Sequence, residues 1–359
     1  MEYKNLIKYG LTDRFAQEAT LYDSLYLARV TEQRRDLYKV VCENGELQAG
    51  VSGKFIYRAN DNSDFPAVGD WVMIDRMDDS SGNGVIHHIL QRKSLFERRA
   101  AGTGNNIQIV AANIDTVFLC MSLNADFNLR RMERYLSIAW RSMATPVIVL
   151  TKADLSKDLS FDLSEIAKIS VGTDVVVCTS KEENGYDAIL SYIKEGETVA
   201  FIGSSGVGKS TLINLLIGRD VLNTREIREE DSKGRHTTTH RQLLVLPGGG
   251  IVIDTPGMRE LQLDTADLSR AFEDIEELAE QCRFRDCSHI TEPGCAVRKA
   301  IEAGELPQER LENYKKLQRE IGYEGLDSRK LEQKKIESMF GSMGEMKQTM
   351  RNIKKKNKR

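Results

Sequence analysis

Residues 199–216 read VAFIGSSGVGKSTLINLL, and this stretch decides the fold. Its central part, residues 203–210, matches the pattern G-x-x-x-x-G-K-[ST] of a phosphate-binding P-loop. An apolar segment precedes the motif and a helix-forming segment follows it. That order is required, because the loop N–H groups and the N-terminus of the helix together hold phosphate oxygens. The sequence therefore predicts a nucleoside-triphosphate site on an α/β sheet, and the flanking strand and helix argue against a chance glycine-rich turn.

Each position of this loop has an expected role. Lys209 should reach the β- and γ-phosphates as a catalytic residue, and Ser210 should ligate Mg²⁺. The nucleotide contacts predicted from this segment are Gly203, Ser204, Ser205, Gly206, Val207, Gly208, Lys209, Ser210 and Thr211.

A second phosphate motif, DTPG at residues 254–257, follows the apolar segment 251–253. Asp254 at the end of a strand can hold Mg²⁺ through water, and the Gly257 N–H can meet the γ-phosphate. Between the two motifs, residues 234–240 read GRHTTTH. We predict Thr238 in this segment to be the second protein ligand of Mg²⁺.

The residue after DTPG is Met258, where many small GTPases place a glutamine that orients the attacking water. A thioether cannot do this by hydrogen bonding, so we expect slow intrinsic hydrolysis. His236 is our first choice for the catalytic group that completes the site. The alternatives are a group from a partner, or a His236 that is only an exposed loop residue.

A base-recognition motif, TKAD at residues 151–154, follows the apolar segment 146–150. It matches the [NT]-K-x-D element by which GTPases read guanine. Asp154 would accept hydrogen bonds from N1–H and the exocyclic amine of guanine, which adenine does not present in that arrangement. The stem of Lys152 would cover the base. The predicted contacts here are Thr151, Lys152, Ala153 and Asp154, with Thr179 and Ser180 of a short TSK loop at residues 179–181 closing over the base.

The order of these motifs is unusual. Common small GTPases run P-loop, switch threonine, D-x-x-G, N-K-x-D and S-A-K, whereas here the last two come first. A circular permutation preserves the sheet while it moves the chain termini. It also joins the switch region to whatever follows the GTPase domain, which can transmit the γ-phosphate state.

Strand-like segments fill the region before the GTPase motifs. They are predicted at 24–30, 37–42, 50–57, 71–75 and 84–90, separated by Gly, Asn and Asp. Five short strands suit an OB-like barrel, with an SH3-like barrel as the alternative. We expect Trp71 in the barrel core. Residues 92–106 have the composition of a linker.

Buried strands at 115–121, 146–150, 175–178 and 198–202 alternate with helical segments such as 129–143. This alternation predicts a largely parallel α/β sheet. After residue 267 the sequence becomes helical and acidic.

Four potential metal ligands cluster within 14 residues: Cys282, Cys287, His289 and Cys295. Three thiolates and an imidazole match a closed structural zinc site, which leaves no position for a catalytic water. The alternative is a chance cluster of reduced thiols. The remaining cysteines, Cys42, Cys120 and Cys178, are scattered, and we expect them to be small core residues.

The chain has 359 residues, a formal net charge of −3 and 40% hydrophobic residues, as in ordinary globular proteins. No apolar run approaches the roughly 20 residues that span a bilayer, and the N-terminus lacks a signal-peptide core. We therefore expect a cytoplasmic protein without a membrane partner. Residues 347–359 carry seven Lys or Arg and no acid, either as a solvated tail or as a phosphate-seeking arm.

Together, the small barrel, the order TKAD, P-loop, GRHTTTH, DTPG, and the C-x4-C-x-H-x5-C cluster resemble the ribosome-small-subunit-dependent GTPase A family of bacteria. The resemblance covers roughly residues 25–325. It implies an α/β fold: a circularly permuted P-loop GTPase domain with an N-terminal OB-like β-barrel and a C-terminal helical zinc-binding domain. It also implies binding of GTP or GDP with Mg²⁺, one structural Zn²⁺, and contact with the small ribosomal subunit and its rRNA. The implied function is late maturation of that subunit, which would stimulate GTP hydrolysis.

The expected domains are 1–100 for the barrel with a short N-terminal segment, 107–270 for the GTPase domain, 271–340 for the zinc-binding domain and 341–359 for the basic tail. We expect a monomer. Three other functions stay open: an RNA-binding factor with a vestigial nucleotide site, an ATPase or kinase, and a GTPase that attaches to anionic lipids through its tail. Intact Lys209, Ser210 and Asp254 argue against the first, Asp154 argues against the second, and no amphipathic anchor supports the third.

Overall fold

The computed structural model describes residues 3–34, 37–80, 82–99, 107–179, 181–182, 184–218, 241–254 and 268–322. The strands are β1 (Tyr26–Gln33), β2 (Tyr38–Cys42), β3 (Gly45–Val51), β4 (Trp71–Ile74), β5 (Gly84–Ile89), β6 (Leu95–Arg99), β7 (Ile107–Ala112), β8 (Thr116–Ser122), β9 (Thr145–Thr151), β10 (Asp174–Val177), β11 (Thr198–Ile202), β12 (Arg241–Val245) and β13 (Ile251–Asp254). The helices are α1 (Lys4–Ile7), α2 (Asp13–Ala19), α3 (Gly53–Arg58), α4 (Leu129–Arg141), α5 (Leu159–Ala167), α6 (Asp187–Leu190), α7 (Lys209–Ile217), α8 (Leu268–Ala271), α9 (Glu273–Glu280), α10 (Ala296–Glu302) and α11 (Gln308–Gly322).

Strands β1 to β5 close into a barrel in the order β1-β2-β3-β5-β4, with β4 pairing back onto β1. All neighbours are antiparallel except β3 and β5, where Ala49 lies opposite Gly84. Apolar side chains that include Val40, Ile74 and Ile86 fill the interior. Five strands closed in this way form an OB-like barrel, as the sequence predicted.

One of the five strand predictions is wrong over most of its length. Of the segment 50–57, only the first two residues are in β3, and residues 53–58 form helix α3 between β3 and β4. The hydroxyl of Ser52 caps this helix by accepting a 3.0 Å hydrogen bond from the Phe55 N–H. The segment is rich in aromatic and branched residues, so its local propensity favours a strand, and the cap and the barrel closure override that propensity.

Trp71 is buried, as expected, but on the outer wall of the barrel. Its ring packs 5.7 Å from the ring of Phe15 on α2 and lies under the guanidinium of Arg29. The N-terminal helices therefore cover this side of the barrel.

The GTPase part of the sheet has the order β10-β9-β8-β11-β13-β12. Its strands run parallel except β12, which is antiparallel to β13. The buried strands predicted from sequence lie within one residue of the observed bounds. The carboxyl ends of β9, β11 and β13 consequently share one edge, where an open α/β sheet binds its ligands.

Strand β12 joins this sheet to the barrel. Gln33 of β1 lies opposite Arg241 and Glu32 lies opposite Gln242, so the two parts form one 11-stranded sheet. Arg241 also donates a 2.9 Å hydrogen bond to the carbonyl of Ile109 on β7. The sequence did not predict this continuity.

The segment predicted as a linker, 92–106, contains strand β6, so that prediction is wrong in part. Strand β6 pairs antiparallel with β7, with Leu95 opposite Ala112. Phe96 is buried in the same apolar cluster as the GTPase strands, so this side chain attaches β6 to the GTPase part of the fold.

Helices α8 to α11 pack on α4, on one face of the parallel sheet. Phe272, Ile275 and Leu311 share an apolar cluster with Met132 and Leu136 of α4. No helix in the described ranges is long and apolar enough to cross a membrane.

Candidate active site and metal centre

The P-loop connects β11 to α7 at the carboxyl edge of the sheet, as predicted. Gly203 lies so close to β8 that an added Cβ would be 2.6 Å from the carbonyl oxygen of Cys120. Gly208, the N-cap of α7, has a φ of +104°, a backbone conformation that residues other than glycine rarely adopt. These glycines let the chain curl so that its N–H groups and the N-terminus of α7 can face an anion.

Lys209 lies in the first turn of α7 and folds over the loop. Its ammonium donates hydrogen bonds of 2.5 Å to the Gly203 carbonyl and 2.7 Å to the Ser204 carbonyl. The lysine charge is therefore held across the loop, where phosphate oxygens would bind. Ser210 and Thr211 follow in the same turn.

The TKAD segment lies beside the P-loop. The Thr151 hydroxyl, 3% exposed at the end of β9, donates a 2.6 Å hydrogen bond to the Val207 carbonyl. The ammonium of Lys152 donates a 2.8 Å hydrogen bond to the Gly206 carbonyl. Although the commoner motif begins with asparagine, the shorter threonine still ties the two loops together.

Asp154 is exposed at the rim of this site, and a second loop fixes its orientation. The Thr179 hydroxyl donates a 2.7 Å hydrogen bond to Asp154 Oδ1 and accepts one of 3.2 Å from the Lys181 N–H. The Ala153 N–H donates to the Cys178 carbonyl at 3.3 Å. The structure thus brings the TKAD segment, the loop after β10 and the P-loop together.

Asp254 is the last residue of β13, the strand next to β11. It therefore shares the sheet edge with the P-loop. Four other predicted residues, Ser180, His236, Thr238 and Gly257, lie outside the described residues, as does Met258.

One residue at the site escaped the sequence analysis. Arg131, in the first turn of α4, donates a 2.5 Å hydrogen bond from Nη1 to the Ser204 hydroxyl and a 2.8 Å bond to Asp126. The only available signal was an arginine at the start of the helix that follows β8, and no motif marks such a position.

The four predicted metal ligands converge between helices α9 and α10. Cys282 follows α9, and Cys295 is the N-cap of α10. The ligand atoms of Cys282, Cys287, His289 and Cys295 lie within 4.8 Å of one another. This cluster can hold a metal ion.

The distances fit tetrahedral coordination. Sulfur ligands at about 2.3 Å from a tetrahedral ion are about 3.8 Å apart. The Cys282 and Cys295 sulfurs are 3.8 Å apart, and Nδ1 of His289 lies 3.7 Å and 3.4 Å from them. The N–H groups of Ala296 and Arg298 point at these two sulfurs at 3.4 Å each, which favours the thiolate form that binds metal.

The other three cysteines have a different environment. Cys42, Cys120 and Cys178 are buried, as predicted for core residues. Burial raises the pKa of Cys120 and of Cys178 to about 12, so both stay protonated thiols.

Comparison with known proteins identifies the family. A family model described as RsgA GTPase matches residues 89–264. The "Small ribosomal subunit biogenesis GTPase RsgA 2" of Lactiplantibacillus plantarum is 52% identical over 352 residues, which cover 98% of each chain. The chain belongs to the RsgA GTPase family. The family assignment also makes it a GTP hydrolase by class.

A second RsgA relative and two solved structures support the same family assignment. The "Small ribosomal subunit biogenesis GTPase RsgA 1" of Listeria innocua is 45% identical over 320 residues, covering 89% of this chain and 90% of that protein. The crystal structure of YjeQ from Thermotoga maritima superposes with a TM-score of 0.61 and 28% identity, covering 83% of this chain and 98% of that one. The crystal structure of YloQ, described as a circularly permuted GTPase, superposes with a TM-score of 0.58 and 26% sequence identity. The match covers 84% of this chain and 96% of YloQ. The fold is therefore the permuted GTPase fold that the motif order predicted.

A second family model, described as ABC transporter, matches residues 186–357. The part shared with the RsgA match contains the P-loop, a motif common to many nucleotide-hydrolysing families. The TKAD segment lies outside the ABC match and inside the RsgA match.

Proposed function

We propose that this chain binds the small ribosomal subunit, acts in its late maturation, and hydrolyses GTP faster when the subunit is bound. The observation that carries the nucleotide part is the carboxylate of Asp154, fixed by Thr179 at the same sheet edge as the P-loop. The ribosomal part is supported by the family, whose curated relatives are named for small-subunit biogenesis.

The proposed nucleotide contacts are the ones that the sequence motifs indicate. Asp154 reads N1–H and the amine of guanine, and Lys152 covers the base. Thr151 and Ala153 hold the base loop, and Thr179 with Ser180 closes it. The phosphates lie in the P-loop, residues 203–211, with Lys209 on the β- and γ-phosphates and with Asp254 and Gly257 on the γ-phosphate side.

Magnesium is the expected partner of the phosphates. Ser210 and Thr238 would ligate it, and the ion would neutralise charge on the transferred group. Because Met258 cannot orient water, His236 is our candidate for the catalytic group. Binding of the small ribosomal subunit would raise GTP turnover by changing the conformation of the switch segment, residues 234–240.

The metal cluster is proposed to hold one structural Zn²⁺. All four ligand positions come from the protein, and thiolates with imidazole are the set that zinc prefers. The ion would fix the loop between α9 and α10. No catalytic role follows, since no ligand position remains for water or substrate.

RNA contact is proposed for the barrel and for the basic segment 347–359. Helix α3 presents Tyr57, 91% exposed, between Lys54 and Arg58, a stacking surface with flanking positive charge. The rRNA of the small subunit is the proposed ligand, and we propose a cytoplasmic location with it. We further propose a monomer with domains at 1–100, 107–270 and 271–340, followed by the tail.

The nucleotide part is tested by competition among nucleotides. The native protein should bind GTP at least about 100-fold more tightly than ATP, because a site built for guanine's donors leaves Asp154 unpaired against adenine. Asp154→Asn should lose GTP and gain xanthosine triphosphate, whose second carbonyl matches an amide donor. Asp187→Asn, an exposed acid on α6, is the matched control and should behave as native. Equal binding of GTP and ATP by the native protein would overturn the proposal.

A further inference from the structure

Arg131 is the point where helix α4 contacts the P-loop. Its Nη1 donates both to the Ser204 hydroxyl at 2.5 Å and to Asp126 Oδ2 at 2.8 Å. The contact joins residues 73 positions apart in the chain. Nothing in the P-loop motif requires it, since Ser204 occupies one of the motif's variable positions.

The first half of the P-loop is held by two cations. Lys209 binds the main-chain carbonyls of Gly203 and Ser204, and Arg131 binds the Ser204 side chain. Glycine-rich chain loses much conformational entropy when it is ordered. A contact that orders the loop before nucleotide arrives lowers that cost, which appears as tighter binding.

The element that carries Arg131 is itself rigid. Asn128 caps α4 by accepting a 3.0 Å hydrogen bond from the Arg131 N–H. Two residues later, Glu133 is buried against Arg310 and Asn313 of α11. Arg131 therefore reaches the P-loop from a helix that is capped by Asn128 and held against α11 through Glu133.

We propose that Arg131 is a positioning residue for the P-loop, which fixes Ser204 and pre-orders the loop for the phosphates of GTP. This inference rests on the proposed GTP site. Arg131 acts through Ser204, so it changes nucleotide affinity more than the rate of the chemical step. Asp126 acts with it by orienting the guanidinium.

The test compares Arg131→Met with Arg130→Met, which removes the same charge from an exposed neighbour on the same helical turn. Binding of a fluorescent GTP analogue and the steady-state kinetics of GTP hydrolysis are measured on the full chain. We expect R131M to weaken binding by about tenfold and to raise KM accordingly, with kcat within about twofold of native. R130M should bind as the native protein does.

A double-mutant cycle separates this contact from a general effect on the helix. Ser204→Ala removes the hydroxyl that accepts from Arg131 and keeps the main-chain N–H that a P-loop offers to phosphate. It should match R131M, and the double variant should be no weaker than either single variant. R131M within about twofold of R130M, or losses that multiply in the double variant, would overturn the inference. If R131M does not fold, native-like binding by S204A alone has the same meaning. Native protein that fails to prefer GTP over ATP would instead overturn the proposed function.

Discussion

The hydroxyl of Thr179 donates a 2.7 Å hydrogen bond to Oδ1 of Asp154 and joins two loops that are 25 residues apart in the chain. Asp154 itself is exposed, so packing does not hold its carboxylate. The hydrogen bond from Thr179 holds the carboxylate in a fixed orientation. In the proposed function, guanine recognition would therefore depend on the loop after β10 as well as on the TKAD motif.

Removing the Thr179 hydroxyl should weaken nucleotide binding without unfolding the protein. Thr179→Val keeps the shape but loses the hydrogen bond to the Asp154 carboxylate and the one accepted from the Lys181 N–H. GTP affinity should therefore fall by about 1 kcal/mol, or roughly fivefold. Titration with a fluorescent GTP analogue measures this. Thr173→Val is the control, because the buried Thr173 hydroxyl has no hydrogen-bond partner among the described residues and should not affect GTP. Equal affinities for the two variants would rule out the orienting role.

Thr151 should behave differently, because its bond to the Val207 carbonyl is buried. Thr151→Val should lower the free energy of unfolding by about 1 kcal/mol even without nucleotide. It should also weaken GTP binding. Thermal unfolding with and without GTP checks both effects. A variant of native stability would show that the threonine does not hold the two loops together.

The metal cluster predicts both metal content and thiol reactivity. Purified protein should contain about one zinc per chain, and Cys287→Ser should lose it. A thiol reagent should modify Cys282, Cys287 and Cys295 only after a chelator is added, since bound thiolates are protected. Cys120 and Cys178 should stay unreactive near pH 8, because burial raises the pKa of both thiols to about 12 and keeps the thiolate scarce. Reaction of all six at equal rates in native protein would contradict this assignment.

The contact between α4 and α11 centres on a buried ion pair. Arg310 donates to Glu133, and its Nε and Nη2 also bind Asp274 at 2.7 and 2.8 Å. Removing one partner leaves the other charge buried, so Arg310→Met should cost about 3–5 kcal/mol of unfolding free energy. Denaturant unfolding measures this, and Glu133→Gln in the same chain should recover part of the loss.

The same variant should acquire a pH dependence. Burial already raises the pKa of Glu133, and the Arg310 charge opposes that rise, so Arg310→Met should raise the pKa further. A carboxyl whose pKa is higher in the folded than in the unfolded protein binds more protons when folded. The free energy of unfolding therefore falls as pH rises from the unfolded pKa through the folded pKa. R310M should therefore be less destabilised at pH 5 than at pH 7. The double variant with Glu133→Gln should lose this difference, and a pH-independent R310M would count against a buried Glu133.

The motifs of this chain could be located from sequence because each combines a residue pattern with a buried strand. The strands before TKAD, the P-loop and DTPG are continuous apolar runs, and their bounds were predicted within one residue. The candidate metal cluster could be located for a similar reason, since three cysteines and a histidine rarely cluster by chance.

What was missed depends on tertiary contact. Helix α3 has strand-like residues, and only the Ser52 cap and its place between β3 and β4 decide its conformation. The pairing of Gln33 with Arg241 joins segments that are far apart in the chain, and no local pattern records it. Arg131 is one of many arginines, and its contact with Ser204 appears only when α4 lies against the P-loop.

The most direct test of the proposed function is GTP turnover by the purified protein, with and without small ribosomal subunits, at fixed Mg²⁺ and salt. We expect slow turnover by the protein alone and a rise of at least about tenfold with small subunits, but not with large subunits or bulk RNA. Turnover that small subunits leave unchanged, or that large subunits raise equally, would contradict it.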